Sequence, residues 1–169
     1  WRVVAEHKVA ALFTAPTAFR AIKKEDPTAS HLAKHDTKCM RTLFLAGERA
    51  DPDTVQWVEK ILGVPVIDHW WQTETGWPIA ANLPGIEIVP TKAGSATYPV
   101  PGFDVRILDR DGEQAESMQQ GSVVIKQPMP PGCLIGVWRD PQRFHSAYMA
   151  AFPGFYLTGD GGYFDEEGY

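Results

Sequence analysis

Three short apolar runs, each followed by a polar loop and separated by strong helix-start signals, constrain this chain most. The runs are Val9-Ala10-Ala11-Leu12-Phe13, Thr42-Leu43-Phe44-Leu45-Ala46 and Val64-Pro65-Val66-Ile67-Asp68. The first two lack the apolar/polar alternation of a half-solvated strand and read as strands buried on both faces, and the third run reads as a further strand. Pro16 can open a helix at its first position, where the missing N–H costs nothing, and Phe19, Ile22 and Lys23 carry it to about Asp26. Asp51-Pro52-Asp53 opens another, with Asp51 as cap, an apolar stripe of Val55, Val58, Ile61 and Leu62, and Gly63 to close it. Strand, helix, strand in this rhythm predicts helical crossovers between parallel strands over residues 8 to 92, after an opening helix from Trp1 to His7.

From about residue 93 the texture changes to Gly and Pro punctuation. Phe103-Asp104-Val105-Arg106-Ile107-Leu108 alternates at period two, Asp111-Gly112 reads as a hairpin turn, and Gly121-Ser122-Val123-Val124-Ile125 reads as a second strand. Asp140-Pro141 starts a further helix, while Phe155-Tyr156-Leu157 and Tyr163-Phe164 flank Thr158-Gly159-Asp160-Gly161-Gly162. The expected fold class is therefore α/β: a parallel α/β sheet segment over 1–92, then a small antiparallel barrel-like or twisted-sheet segment over 93–169. The start at Trp1 inside a helix, and the end at Phe164-Asp165-Glu166-Glu167-Gly168-Tyr169 in an acidic turn, read as an internal fragment of a longer protein.

Composition narrows the function classes. With 16 Lys+Arg against 21 Asp+Glu the net charge is −5, and no basic run concentrates a field for nucleic acid or an anionic membrane surface. No segment approaches the roughly 18 consecutive apolar residues of a membrane span. Cys39 and Cys133 are too few for a disulfide framework and lack zinc-like spacing, so a reducing cytosol or organelle matrix is the default. His7, His31, His35 and His145 lie in separate segments and read as solvated or capping groups, and Asp165-Glu166-Glu167 as a solvated turn.

In an open parallel sheet, ligands bind beyond the carboxyl ends of the strands. Two such ends carry conspicuous loops, Gly47-Glu48-Arg49 and Asp68-His69-Trp70-Trp71-Gln72-Thr73-Glu74-Thr75-Gly76. Adjacent flat rings, hydroxyls and a carboxylate suit a nucleotide with a metal-bound phosphate; a buried aromatic loop capped by Thr and Glu is the competing reading.

The stretch Trp70 to Gly76 resembles the adenylate-binding motif of short-chain acyl-CoA synthetases, in the adenylate-forming superfamily that includes luciferases and peptide-synthetase adenylation domains. Ala46-Gly47-Glu48, Gly94 to Gly102 and Tyr156-Leu157-Thr158-Gly159-Asp160 follow the family's order, and Thr14 to Ala18 extends the likeness over nearly the whole chain. Asp68 to Gly76 and Pro128 to Gly132 look closest to propionyl-CoA synthetases and their mitochondrial relatives.

The resemblance implies a two-step reaction: carboxylate and ATP give an acyl-adenylate and pyrophosphate, and coenzyme A then displaces AMP. It implies Mg2+ as cofactor, a short-chain carboxylate, ATP and coenzyme A as partners, and the cytoplasm or, in a eukaryote, the mitochondrial matrix as location. Gly47, Glu48 and Arg49 would line the adenine side through backbone and packing, although relatives commonly have Pro at Arg49. Thr73 would bind the α-phosphate and Glu74 the magnesium ion, against readings as a turn hydroxyl and a surface carboxylate. Asp160 would accept the ribose hydroxyls, against an Asp-Gly turn residue. Asp68, His69, Trp70 and Gln72 would flank the nucleotide, His69 by packing rather than acid–base work. Trp71 would close the acyl pocket to long chains, and Ala46, where acetate-specific relatives have Val, would leave room for about one more carbon, pointing to propionate.

The family's phosphate loop would precede Trp1, and its small C-terminal domain with the catalytic lysine would follow Tyr169. Without them the fragment alone is expected to be inactive. Two other readings stay open: an adenylation module loading a carrier protein, which the ring at Trp71 disfavours, and a non-catalytic interaction or structural segment.

Overall fold

A computed structural model describes residues 1–87 and 89–169. The chain divides into two compact units: Trp1–Trp70 with Ala81–Thr97, and Trp71–Ala80 with Tyr98–Tyr169.

The first unit is built on a parallel sheet of β1 (Ala11–Thr14), β2 (Thr42–Leu45) and β3 (Val66–Asp68), in that spatial order. The register runs Phe13 to Phe44 and Phe44 to Ile67, so all three strands end at one level. Parallel neighbours require crossover connections, and two of the unit's helices supply them: α2 (Pro16–Glu25) and α3 (Pro52–Leu62), after the opening α1 (Arg2–Glu6). Both crossover helices start where sequence chemistry places them. Pro16 and Pro52 occupy first-turn positions, and Asp51 Oδ1 accepts from Thr54 N at 2.8 Å. Gly63 ends α3 in the left-handed conformation at φ 64°, which costs a residue without Cβ nothing.

The core of this unit joins Phe19 from α2, Leu43 and Leu45 from β2, Val55 and Val58 from α3, and Val66 from β3, all buried. Burying each such aliphatic or aromatic side chain contributes about 1.5–3 kcal/mol, which makes the central strand the anchor of the sheet. Asp26, also buried, closes the turn after α2 by accepting from Ser30 N, Ser30 Oγ and His31 N at 2.8 to 2.9 Å.

A two-stranded ribbon of β4 (Trp70–Trp71) and β5 (Pro78–Ala80) brackets the Gln72–Trp77 turn. The remainder of the second unit is an antiparallel sheet of β6 (Val105–Leu108), β7 (Gly121–Lys126) and β8 (Phe155–Gly162), with β7 in the middle. Its core contains Ile107, Leu108, Val123, Val124, Ile125 and Tyr156. The fold class is α/β, a parallel sheet segment followed by antiparallel strands; the barrel-like expectation takes the form of this three-stranded sheet.

Three local expectations are corrected. β1 is not buried on both faces: Leu12 packs on the core, while Ala11 and Phe13, on the other face, are exposed, Phe13 to 56%. Asp111-Gly112 does turn the chain, but it returns it to a short bridge between Leu108 and Gln114 rather than directly into β7. The Asp109 carboxylate accepts from Asp111 N and Glu113 N at 2.9 and 3.0 Å, and this side-chain turn fixes a longer loop before β7. Thr158 to Gly162 is not a loop between two strands but part of β8, bulged against β7 where the register shifts between Ser122 and Val124. Thr158 Oγ1 fills the gap, donating to Val123 O at 2.7 Å and accepting from Asp160 N at 3.1 Å. Gly159, at φ 80°, supplies the backbone turn the bulge needs. A short helix α4 (Pro141–Phe144), capped by Asp140 Oδ1 on Arg143 N at 2.9 Å, continues through a π-helical turn over His145–Met149.

Candidate nucleotide site

In the first unit the candidate residues cluster at the carboxyl end of the parallel sheet. Ala46 is buried directly after β2, its N–H donating to Thr14 O at 3.2 Å, and Gly47, Glu48 and Arg49 follow as an exposed loop. Gly47 adopts φ 96°. The Glu48 carboxylate is committed to structure: Oε1 accepts from Thr17 N in the first turn of α2 at 2.8 Å, and Oε2 pairs with Arg20 at 2.7 Å. Arg20 also reaches Asp51 at 3.3 Å, so one guanidinium ties the Gly47–Arg49 loop to the starts of both crossover helices. An anion at a helix N-terminus is favoured by the helix dipole, which gives Glu48 a structural role at the start of α2. The Arg49 guanidinium passes over Gly94, where an added Cβ would lie 3.3 Å from Nη2.

Asp68, the last residue of β3, is half-buried. Burial pushes its carboxyl up to about 7, against the opposing pull of the Ala50 N–H and the Arg49 charge. His69 packs edge-on against Phe13 and Phe44, with ring centroids 5.3 and 5.7 Å away. Its Nδ1 is buried without a hydrogen-bond partner, and burial lowers its pKa against the opposing pull of the Leu45 and Ile67 backbone. Trp70 is half-buried at the start of β4.

In the second unit the turn after Trp71 is held from inside by Thr75, which is buried. Its hydroxyl donates toward Gln72 O and Trp77 O at 2.9 and 3.0 Å and accepts from Gln72 N at 3.1 Å. The Cys133 and Leu134 backbone segment supports the same turn, Leu134 N donating to Glu74 O at 2.6 Å. Gly76 is needed there: its φ is 61°, and a Cβ would lie 3.3 Å from Gly132 O. This leaves Thr73 exposed on the turn and Glu74 half-buried beside it, with the Trp71 ring 39% exposed.

Gln72 links the turn to β8. Its Nε2 donates to Thr158 O at 2.7 Å and Asp160 Oδ2 at 2.9 Å, while Oε1 accepts from Tyr156 Oη at 3.0 Å. Two acceptors on one side fix the amide in a single orientation, because the flipped form would aim Oε1 at both of them. Asp160 itself is exposed at the bulge. Glu74 Oε1 accepts from Tyr148 Oη at 3.1 Å, and the Tyr148 ring stacks on Tyr156, 5.4 Å between centroids and 10° between planes. The hydrogen bond to Glu74 raises the Tyr148 pKa, which keeps that hydroxyl a donor. Tyr148 and Tyr156 escape a reading of local sequence, since each acts on a residue 74 or 84 positions away.

Among the described residues no group of three or more His, Cys, Asp or Glu is arranged to hold a metal ion. Cys39 and Cys133 are free thiols, and burial raises the Cys133 pKa, which disfavours the thiolate. No helix is long and apolar enough to cross a membrane among the described residues.

Residues 1–133 match the model of a family described as AMP-binding enzyme. The whole chain aligns at 50% identity with 27% of an uncharacterized protein of Pseudomonas aeruginosa. It aligns at 48% identity with 25% of mouse acyl-CoA synthetase short-chain family member 3, mitochondrial, and at 42% with 27% of propionate–CoA ligase of Escherichia coli K12. The chain thus spans about a quarter of the length of the curated relatives it matches. The loops at the strand ends, from Gly47 to Gly76, fall within a match covering most of the chain's length: the chain belongs to the AMP-binding enzyme family.

Proposed function

We propose that the full-length protein is an AMP-forming short-chain acyl-CoA ligase acting on propionate, with acetate as a poorer substrate, and that this chain supplies much of its adenylate site. The observation that carries the reading is the second unit's juxtaposition of Gln72 with Asp160, beside a turn that presents Thr73 and Glu74. Similarity along the whole chain to relatives named acyl-CoA synthetase and propionate–CoA ligase supports it.

In this reading a carboxylate oxygen of the acid attacks the α-phosphorus of ATP and pyrophosphate leaves. The coenzyme A thiol then attacks the acyl carbonyl and AMP leaves. Both steps bring anions together, so the site's work is placement and charge compensation. Asp160 accepts from the ribose hydroxyls, with Gln72 fixing its carboxylate. Thr73 donates its hydroxyl to the α-phosphate. In the first unit, the family resemblance gives the adenine side to Gly47, Glu48 and Arg49, through backbone and packing, and a flanking role to Asp68, His69 and Trp70.

Glu74 is a half-buried carboxylate beside the Tyr148 hydroxyl, and among the described residues no group of three or more His, Cys, Asp or Glu encloses a cation; this fits Mg2+, a hard cation that takes one or two carboxylates plus substrate phosphates. Glu74 would hold the ion, which would supply charge neutralisation to the phosphates. The exposed Trp71 ring is the proposed limit on acyl chain length, and the small Ala46 is proposed to admit one carbon more than acetate. One methylene is worth about 1–3 kcal/mol, so overlap between neighbouring acids follows. A cytoplasmic location, or the mitochondrial matrix in a eukaryote, suits the free thiols.

The test is carboxylate-dependent ATP–pyrophosphate exchange by the full-length protein with acetate, propionate and butyrate, then product formation with coenzyme A. Exchange strongest with propionate and completed by coenzyme A is the expected result. Exchange without transfer to coenzyme A would favour the carrier-protein module, and no exchange would sink the ligase. Trp71→Gly should shift preference toward longer acids; an unchanged profile would remove Trp71 from the pocket.

A further inference from the structure

We infer that Tyr148 and Tyr156 form a stacked positioning pair that holds Glu74 and the Gln72–Asp160 link in fixed relation for a metal-bound nucleotide. The inference rests on the nucleotide reading above and assigns a role to Tyr148, outside the motif stretches, and to Tyr156, which opens the Tyr156–Asp160 stretch.

The geometry has two arms on one stack. Tyr148 donates to Glu74 Oε1 at 3.1 Å; Tyr156 donates to Gln72 Oε1 at 3.0 Å, and Gln72 passes the constraint to Asp160 Oδ2 at 2.9 Å. The rings are 5.4 Å apart and nearly parallel, so neither arm can swing without losing the other's contact surface. Tyr156 is only 1% exposed and anchored in β8, which makes it the fixed member. Tyr148 is reached by a π-helical turn in which Ala150 N bonds back to His145 O at 3.0 Å. Such turns insert one residue into the helical repeat and re-aim the side chains they carry.

A carboxylate on a turn has rotamer freedom that a bound cation must freeze. A hydroxyl already holding one oxygen removes part of that cost and leaves the cation to the rest of the group. Residues that orient metal-binding carboxylates in this way change metal affinity by about 10–100-fold when removed. A neutral hydrogen bond such as the one from Tyr156 to Gln72 carries less, about fivefold.

The experiment uses the full-length protein and two substitutions that keep the stacked rings, Tyr148→Phe and Tyr156→Phe. Mn2+ binding in the presence of a non-hydrolysable ATP analogue is followed by electron paramagnetic resonance, and AMP binding without metal by calorimetry. Y148F should weaken Mn2+ binding about tenfold and change metal-free AMP binding less than about twofold. Y156F should do the reverse, weakening AMP about fivefold with Mn2+ affinity nearly unchanged. In a Glu74→Gln background, Y148F should have no further effect. Wild-type binding in either variant, equal losses of both ligands, or an undiminished Y148F effect in E74Q would overturn the positioning pair while leaving the nucleotide site standing. Failure of the wild-type protein to bind the Mn2+–nucleotide complex would remove the nucleotide reading, and the inference with it.

Discussion

The two units use their charged residues in opposite ways. At the end of the parallel sheet, Glu48 and Asp51 are spent on helix starts and on Arg20, contacts that hold the loop Gly47–Arg49 in shape. In the second unit, Asp160 is tied to Gln72 and Gln72 to Tyr156, while Glu74 is tied to Tyr148, by side-chain bonds spanning 74 to 88 residues of sequence. The first arrangement frames a backbone surface; the second leaves oriented polar groups. Side-chain polarity in a loop is therefore a poor guide to ligand contact until its partners are known.

The comparison can be broken most forcefully at the tyrosine stack. Tyr156→Ala deletes a fully buried ring and orphans Gln72 Oε1, so denaturant unfolding should show a loss of about 3–5 kcal/mol. A loss under about 1 kcal/mol would mean the stack contributes little to the second unit.

Next in size is the pH response of the first unit. Burial raises the Asp68 pKa to about 7, above its unfolded value, so the folded state holds a proton that the unfolded chain releases. The associated stability is present in full below about pH 4. It declines as pH rises and is gone above about 7. Asp68→Asn should abolish that decline, with the gap between wild type and variant at pH 8 reaching up to about 4 kcal/mol in favour of Asn, relative to pH 4. Parallel pH profiles for the two proteins would show that Asp68 is better solvated than its surroundings indicate.

The smallest effect concerns the framing contacts. Asp51→Ala removes the α3 cap and should cost about 1 kcal/mol in the same unfolding experiment, with nucleotide affinity nearly unchanged. A large drop in affinity with unchanged stability would erase the contrast between the units, by giving the helix-start carboxylates a ligand role.

Much of the fold is legible in the sequence. The strands at Thr42 and Val66, the helix starts at Pro16 and Asp51, and the stop at Gly63 follow from hydrophobic runs and capping chemistry, which act within a few residues. The bulge at Gly159 is not, because an Asp-Gly pair looks like a loop unless the strand beside it is known. Nor is the packing of Trp71–Ala80 into one compact unit with Tyr98–Tyr169, since its turn is secured by Cys133 and Leu134, far along the chain.

The candidate site divides along the same line. Sequence by itself determined which residue types stand at the strand ends: Gly47 and Glu48 after β2, Asp68 and His69 at the end of β3, and the Trp71 to Gly76 turn beyond, because local runs set where strands end. Tertiary structure alone decided what each polar group is free to do. It gave Glu48 to Thr17 and Arg20, packed a half-buried His69 against Phe13 and Phe44, and turned the Gln72 amide toward Asp160. Hydrogen-bond partners and burial are set by residues distant in sequence and adjacent in space, and no window along the chain contains them.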